Sequence, residues 1–534
     1  VSATSALRQT ADRIAALPSL TLFPILFICV ALSHFTLLYL PYYWDEGGYY
    51  IPAAFDFYHH GWLVPHFTNA HPPLPNILIG SLWHIVGVHI VATRLLVAAF
   101  AAAALLAVFR LTQRLLDAPS ALAVTLLLAA YPIFFAQSTL AHADIFSAAF
   151  TLWAFALYLP AQIAPIPRHR IAISALFSLA VLSKETAIFQ PAALAALQLY
   201  FLLRDRKSPA LRREHLRWVA ALSFPLLPLI AWYAYHHHVT GFTFGNPEYL
   251  RYNATANLTA AHFSQAIRYR FLHLFWQRNI WLPIVLALAC TFLLRRAAAP
   301  RSLAPSTLLT LIILIFANWI GFSILGGALL TRYLLPVYPL ILLLCVDIWR
   351  SRTEWWPGLV VLTFAVFLSG LWINPPTSFA PEDTLTYRDM IVAHQLAIDY
   401  VAQHFPDATV LTAWPVAADL FRPELGYVSH PIKAFSIEDF TRPSILKAAE
   451  EPGDYDTAIV FTTHFTTPSF RHWLLAHPTT ARGREFAATR DLTPEEIAVI
   501  LGGRIVFKTD QHGEWAAVLR FPRTYEGQLF YFHQ

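Results

Sequence analysis

A chain of 534 residues that is 57% apolar and 13% charged, with a mean hydropathy of +0.50, carries more apolar surface than a water-exposed globule can hide. Most of it is therefore expected among lipid-embedded helices. The net charge of +5 gives no support to a nucleic-acid partner, because the basic residues are segregated by loop, and Cys29, Cys290 and Cys345 all lie in apolar runs, which argues against a disulfide framework or zinc site.

In chain order, Arg8 and Arg13 precede an apolar run of about 22 residues, too long for a signal-peptide core and read as a retained first span. Immediately after it comes Tyr42-Tyr43-Trp44-Asp45-Glu46-Gly47-Gly48-Tyr49-Tyr50. Two carboxylates at the mouth of a span are costly to place there and mark a functional site by default. The surrounding aromatics favour the lipid–water boundary.

Runs suitable for spans fall near 19–40, 92–113, 119–137, 143–160, 171–183, 186–203, 218–236, 279–294, 304–324, 330–348 and 356–373. With the N-terminus inside, the basic connections Arg110/Arg114, Arg168/Arg170, Arg204 to Arg217, Arg295/Arg296/Arg301 and Arg350/Arg352 all become cytoplasmic. Residues 72–90 are apolar enough to cross, but crossing would flip every later basic loop, so an interfacial or re-entrant helix is predicted there. The stretch 171–203 is too long for one crossing, and Lys184-Glu185 is read as the outer turn between two spans. Gly326-Gly327 is read as another outer turn, leaving Arg332 near the outer face.

The expected fold is thus mostly α: a polytopic bundle of about eleven transmembrane spans over 1–378, with outer loops 41–91 and 237–278. From about 380 the pattern becomes that of a soluble protein. A helical stretch from Tyr387 to Phe405 and strand-like runs Ala408–Thr412 and Asp456–Thr462 predict an extracytoplasmic α/β domain over 379–534. Arginine outnumbers lysine and there is one Met, which hints at a GC-rich bacterial genome; with the topology above, the expected location is the bacterial plasma membrane with the C-terminal domain periplasmic.

This topology gathers polar residues at one depth: Asp45, Glu46, His71, His142, Asp144, Lys184, Glu185, Arg332 and Tyr333. Each has a plainer reading. The early acids could be helix-entry residues and Asp144 a helix cap. Lys184 and Glu185 could simply pair with each other, Arg332 could snorkel, and His71 could be a loop histidine. Their coincidence on one face is the stronger signal. His236-His237-His238 resembles a metal cluster only superficially, since adjacent helix residues point apart. The sequons at Asn253 and Asn257 are read as chance occurrences.

These motifs resemble membrane glycosyltransferases of the GT-C class that use polyprenyl-phosphate-linked sugars, similar to the protein O-mannosyltransferase and lipid A aminoarabinose transferase group. The resemblance runs over most of 20–350. Its carriers are Trp44-Asp45-Glu46-Gly47, His71-Pro72-Pro73-Leu74, Leu140-Ala-His-Ala-Asp144, Leu182-Ser-Lys184-Glu185-Thr186-Ala187 and Arg332-Tyr333-Leu-Leu-Pro336. It implies Asp45 as catalytic base and Asp144 as the second acid. His71 stands where the aminoarabinose transferases have Lys, as in the mannosyltransferase pattern. Residues 380–534 carry no matching motif.

The chemistry needs a base for the acceptor hydroxyl and cations for the leaving phosphate. Asp45 is the expected base, with Glu46 or Asp144 orienting acceptor or sugar. Arg332, Lys184 and His71 are the expected phosphate clamp, Arg332 foremost because guanidinium grips phosphate bidentately. His142, Glu185 and Tyr333 are expected to position substrate. A single displacement would invert the anomeric centre. No cofactor is required, though the acids would accommodate a divalent cation. The expected partners are the membrane, a polyprenyl-phosphate-sugar donor and a lipid, glycan or protein acceptor. Two alternatives stay open: a flippase for a polyprenyl-linked substrate using the carboxylates as proton relay, and a catalytically silent assembly subunit.

Overall fold

The computed structural model describes residues 3–61, 70–161, 167–247, 250, 259–294, 303–325, 328–374, 379–463 and 468–522. The Arg295/Arg296/Arg301 connection, the Gly326-Gly327 turn and both sequon asparagines, Asn253 and Asn257, lie outside them. The chain divides into two compact units: Val1–Leu38 with Tyr49–Ile373, and Tyr39–Gly48 with Asn374–Gln534. The acidic segment thus groups with the C-terminal unit.

The first unit is helical. All eleven predicted runs contain helix; among the described residues five helical segments are long and apolar enough to cross a bilayer: Ile90–Leu115, Ala143–Ala161, Glu185–Arg204, Pro209–Thr240 and Pro305–Leu325. A sixth arises if Arg8–Ala16 and Ser19–Ser33, bent by 114°, count as one span. The other runs are shortened by local chemistry. Pro132 starts a new helix and divides 118–137 into Ala118–Ala130 and Pro132–Gln137. A 3-10 turn, Thr331–Leu334, stands apart from the helix Tyr338–Arg352.

The predicted interfacial segment forms the helix Leu74–Val86, 13 residues long. At 1.5 Å per residue that is about 20 Å, short of a hydrocarbon core of about 30 Å. The stretch 171–203 breaks where expected. Helix Pro167–Ser183 ends, Lys184 is extended (φ −151°), and the chain resumes through the 3-10 turn Glu185–Ile188 into Phe189–Arg204. At the centre of the bundle Ala143–Ala161 packs between Ile90–Leu115 and Pro167–Ser183. Buried Ala98, Ala101 and Ala102 on one helix and Ala148 and Ala149 on the other allow close backbone approach, the device that associates helices where lipid removes the hydrophobic drive.

The C-terminal unit contains a mixed five-stranded sheet, with β1 Thr409–Ala413, β2 Lys433–Ile437, β3 Thr457–Phe461, β4 Arg504–Gln511 and β5 Glu514–Arg520. The order is β2-β1-β3-β5-β4, parallel across β2-β1-β3 and antiparallel from β3 onward. β3 is wholly buried, and the helix Thr386–His404 packs on β4 and β5. β4 and β5 join through His512 and Gly513, both at positive φ (55° and 96°), as a two-residue turn of the primed kind requires.

Glu514 opens β5 with 1% exposure, and burial reinforced by Asp389 and Asp510 pushes its carboxyl up to about 8. Asp389 is itself paired with Arg388 and His512. Below about pH 4.5 the group is neutral folded and unfolded. Between that pH and about 8 the unfolded chain releases the proton and the folded chain retains it, so stability falls as pH rises. Thermal unfolding of the intact protein should therefore lose about 3–5 kcal/mol of stability across this window, and Glu514→Gln should flatten the profile. A variant with the wild-type slope would refute this.

Candidate functional site

The helix Ala143–Ala161 places Asp144 in its first turn, where a carboxylate complements the helix dipole. The preceding turn is braced from a neighbouring helix: Arg94, 1% exposed, donates to the Thr139 carbonyl at 2.7 Å. Asp144 receives Lys184 Nζ on Oδ1 at 2.6 Å and faces Arg332 Nε with Oδ2 at 3.3 Å. All three side chains are nearly fully buried. Two cations therefore share one carboxylate where water cannot screen them, an arrangement whose cost falls when a further anion joins.

Tyr333 extends the cluster. Lys184 Nζ lies 3.7 Å from its ring centroid, the Arg270 guanidinium 5.3 Å and that of Arg332 5.8 Å. Each separation allows cation–π attraction. Arg270, fully buried on the helix Ala260–Phe275, donates to the carbonyls of Leu330 at 2.5 Å and Ala328 at 2.9 Å. It thereby ties down the segment that leads into Arg332. One ring thus gathers three buried cations.

Beside this cluster His71 Nδ1 meets the Glu185 carboxylate at 3.0 Å. Tyr50 lies between two imidazoles, 6.0 Å from His71 and 5.9 Å from His142. His142 is fully buried, with Nδ1 2.8 Å from Gln137 Oε1 and, among the described residues, no hydrogen-bond partner at Nε2. A cavity of about 460 Å³ opens here. His71, Lys184, Glu185 and Tyr333 are part of its polar lining; Phe189, Trp232, Phe244, Phe322 and Leu325 are among its apolar walls. Such a space suits a molecule with an anionic head and an apolar body.

The structure thus brings Asp144, Lys184, Arg332 and Tyr333 into one cluster and joins His71 to Glu185. Two plainer readings fail. Lys184 and Glu185 do not pair with each other: they sit at the break between two helices and turn to Asp144 and His71 respectively. Arg332 does not snorkel, being 3% exposed. Asp144 is engaged by Lys184 and Arg332.

Asp45 and Glu46 lie in the C-terminal unit. Asp45 is half-buried at the entry to the π-helical turn Glu46–Tyr50. Glu46 is fully buried and its carboxylate accepts the Tyr43 N–H at 2.7 Å. The consecutive histidines disperse as expected: His236 Nδ1 bonds the Phe242 carbonyl and His237 Nδ1 the Thr243 hydroxyl. Among the described residues no group of three or more His, Cys, Asp or Glu side chains converges on a metal site.

Sequence reasoning missed Arg270 and Arg94. The available signal for Arg270 was its position in the outer loop 237–278, where the positive-inside preference makes a basic residue unusual.

Compared with known proteins, residues 70–232 match the family model described as dolichyl-phosphate-mannose-protein mannosyltransferase. The match takes in His71, His142, Asp144, Lys184 and Glu185 and leaves out Asp45, Arg270 and Arg332. No curated protein matches the chain. Among solved structures, ArnT from Cupriavidus metallidurans bound to undecaprenyl phosphate aligns with a TM-score of 0.51 at 16% identity, over 92% of this chain and 97% of that one. The same protein in the apo state aligns with a TM-score of 0.52 at 15% identity, over 94% and 98%. The expected GT-C resemblance is therefore met at the level of fold: a polytopic helical membrane bundle with a C-terminal α/β domain, matched along nearly the whole of both chains.

Proposed function

We propose that the protein is an integral-membrane glycosyltransferase that moves a sugar from a polyprenyl-phosphate donor to an acceptor hydroxyl on the extracytoplasmic side. The observation that carries this is the buried cluster of Lys184, Arg332 and Arg270 around Tyr333, with Asp144 paired to the first two, beside a largely apolar cavity. A lipid phosphate has the matching chemistry: its charge completes the cluster and its isoprene chain suits the cavity walls. The likeness to ArnT, crystallised with undecaprenyl phosphate, supports the same ligand class.

In this reading the acceptor hydroxyl gives its proton to the Asp45 carboxylate as its oxygen attacks the anomeric carbon. The bond from that carbon to the phosphate oxygen breaks, and the polyprenyl phosphate leaves with one more negative charge. Lys184, Arg332 and Arg270 stabilise that charge as it develops, in a site too dry for water to do so. His71 and Glu185, with Tyr333, border the space for the sugar and its phosphate; His142 backs them through Tyr50. The reaction needs no cofactor. In a bacterium the protein would sit in the plasma membrane with its C-terminal domain periplasmic.

The test is incubation of the purified protein with a panel of polyprenyl-phosphate sugars and acceptors, with mass analysis of released lipid phosphate and the product anomer read by NMR. Release coupled to an inverted product is expected. Retention would refute the single displacement, and flux of intact donor across proteoliposomes without cleavage would favour the flippase.

A further inference from the structure

The segment Tyr39–Gly48 groups with the C-terminal unit, although 38 residues precede it and a helical bundle follows it in the chain. Its contacts lie on both sides of Asp45. Upstream, the Tyr42 N–H donates to the Leu425 carbonyl at 3.0 Å. The Tyr43 ring meets Tyr387 edge-on with centroids 5.9 Å apart, and its hydroxyl donates to Glu382 at 3.5 Å. Downstream, a Cβ on Gly47 would lie 3.2 Å from Leu425 Cδ1, and one on Gly48 only 2.5 Å from Trp414 Cη2. Those two glycines admit the close approach of the C-terminal unit's side chains. Within the loop Trp44 takes positive φ (37°), and Glu46 closes the turn on the Tyr43 N–H. The backbone carrying Asp45 is thus clamped at both ends.

We propose that the C-terminal unit sets the position of Asp45, with Trp414 and Leu425 as positioning residues for the reaction. This rests on Asp45 being the base. It assigns the soluble domain a part in the chemical step itself, because a base displaced by about 1 Å loses on the order of 100-fold in rate. The cations assigned to the donor phosphate belong to the other unit, so donor affinity should be insensitive to the clamp.

The experiment compares Asp45→Asn, Trp414→Ala, Leu425→Ala, Gly48→Ala and the double variant Gly48→Ala/Trp414→Leu in the full-length protein. The Trp414 and Leu425 variants should lower kcat by about 10- to 100-fold and leave donor KM within roughly twofold. Gly48→Ala should behave likewise, and Trp414→Leu should restore rate to it by vacating the space that the new Cβ needs. This compensation does not depend on Trp414→Ala folding well. If Asp45→Asn is inactive while Trp414→Ala, Leu425→Ala and Gly48→Ala keep wild-type kcat, the positioning role is overturned and the base stands. A fully active Asp45→Asn variant would remove the base and this inference with it.

Discussion

Asp45→Asn should lower the rate of sugar transfer by about 10²–10⁴-fold, the contribution of a well-placed general base. The amide has the carboxylate's size but cannot take up the acceptor's proton. The loop keeps its anchors at Tyr42, Tyr43, Gly47 and Gly48 in the variant. Donor binding should also persist, since the cations assigned to the phosphate lie in the other unit. Single-turnover release of polyprenyl phosphate reports the first quantity and equilibrium donor binding the second. Equal loss of both would mean that Asp45 supports donor binding or folding and is not the base.

Asp144→Asn should destabilise the unliganded protein by about 3–5 kcal/mol, the usual cost of removing one partner from a buried ion cluster. Lys184 and Arg332 would then face each other across a neutral amide, which removes the cluster's negative charge. The distinguishing expectation concerns ligand. Polyprenyl phosphate supplies the missing charge, so it should stabilise the variant against heat by more than it stabilises the wild type. Adding Lys184→Met should recover stability while weakening the response to lipid phosphate, a non-additive result that thermal unfolding can read as a double-mutant cycle. If lipid phosphate stabilised the Asp144→Asn variant less than the wild type, the cations would not be gripping phosphate.

Much of this site was legible before any coordinates. Asp144, Lys184 and Arg332 were singled out because charges in apolar runs are expensive, and the structure brings all three to one place. The break at Lys184 followed from length and from the Lys184-Glu185 interruption, since a 33-residue stretch exceeds one crossing. In the soluble region the helix Thr386–His404 and strands β1 and β3 lie within a residue or two of their predicted bounds, because their apolar periodicities are plain. β2, with its mixed burial, and the hairpin β4-β5, whose turn is His512-Gly513 rather than a stronger turn pair, were not read. The pairing of Lys184 was also illegible. Its sequence neighbour Glu185 was the obvious partner, and the extended backbone between the two turns them apart.

Composition and the spacing of charges determined that this chain is a polytopic membrane protein with a soluble C-terminal domain, because burial in lipid is an additive property that each residue reports on its own. Which cation meets which carboxylate depended on tertiary structure. An ion pair is decided by distances between residues 40 to 188 positions apart, and no local pattern encodes them. The same holds for Arg270, an ordinary loop arginine until its helix brings it over Tyr333. It holds also for the acidic loop, whose clamp comes from residues nearly 400 positions downstream, where Trp414 and Leu425 fill the room left by two glycines.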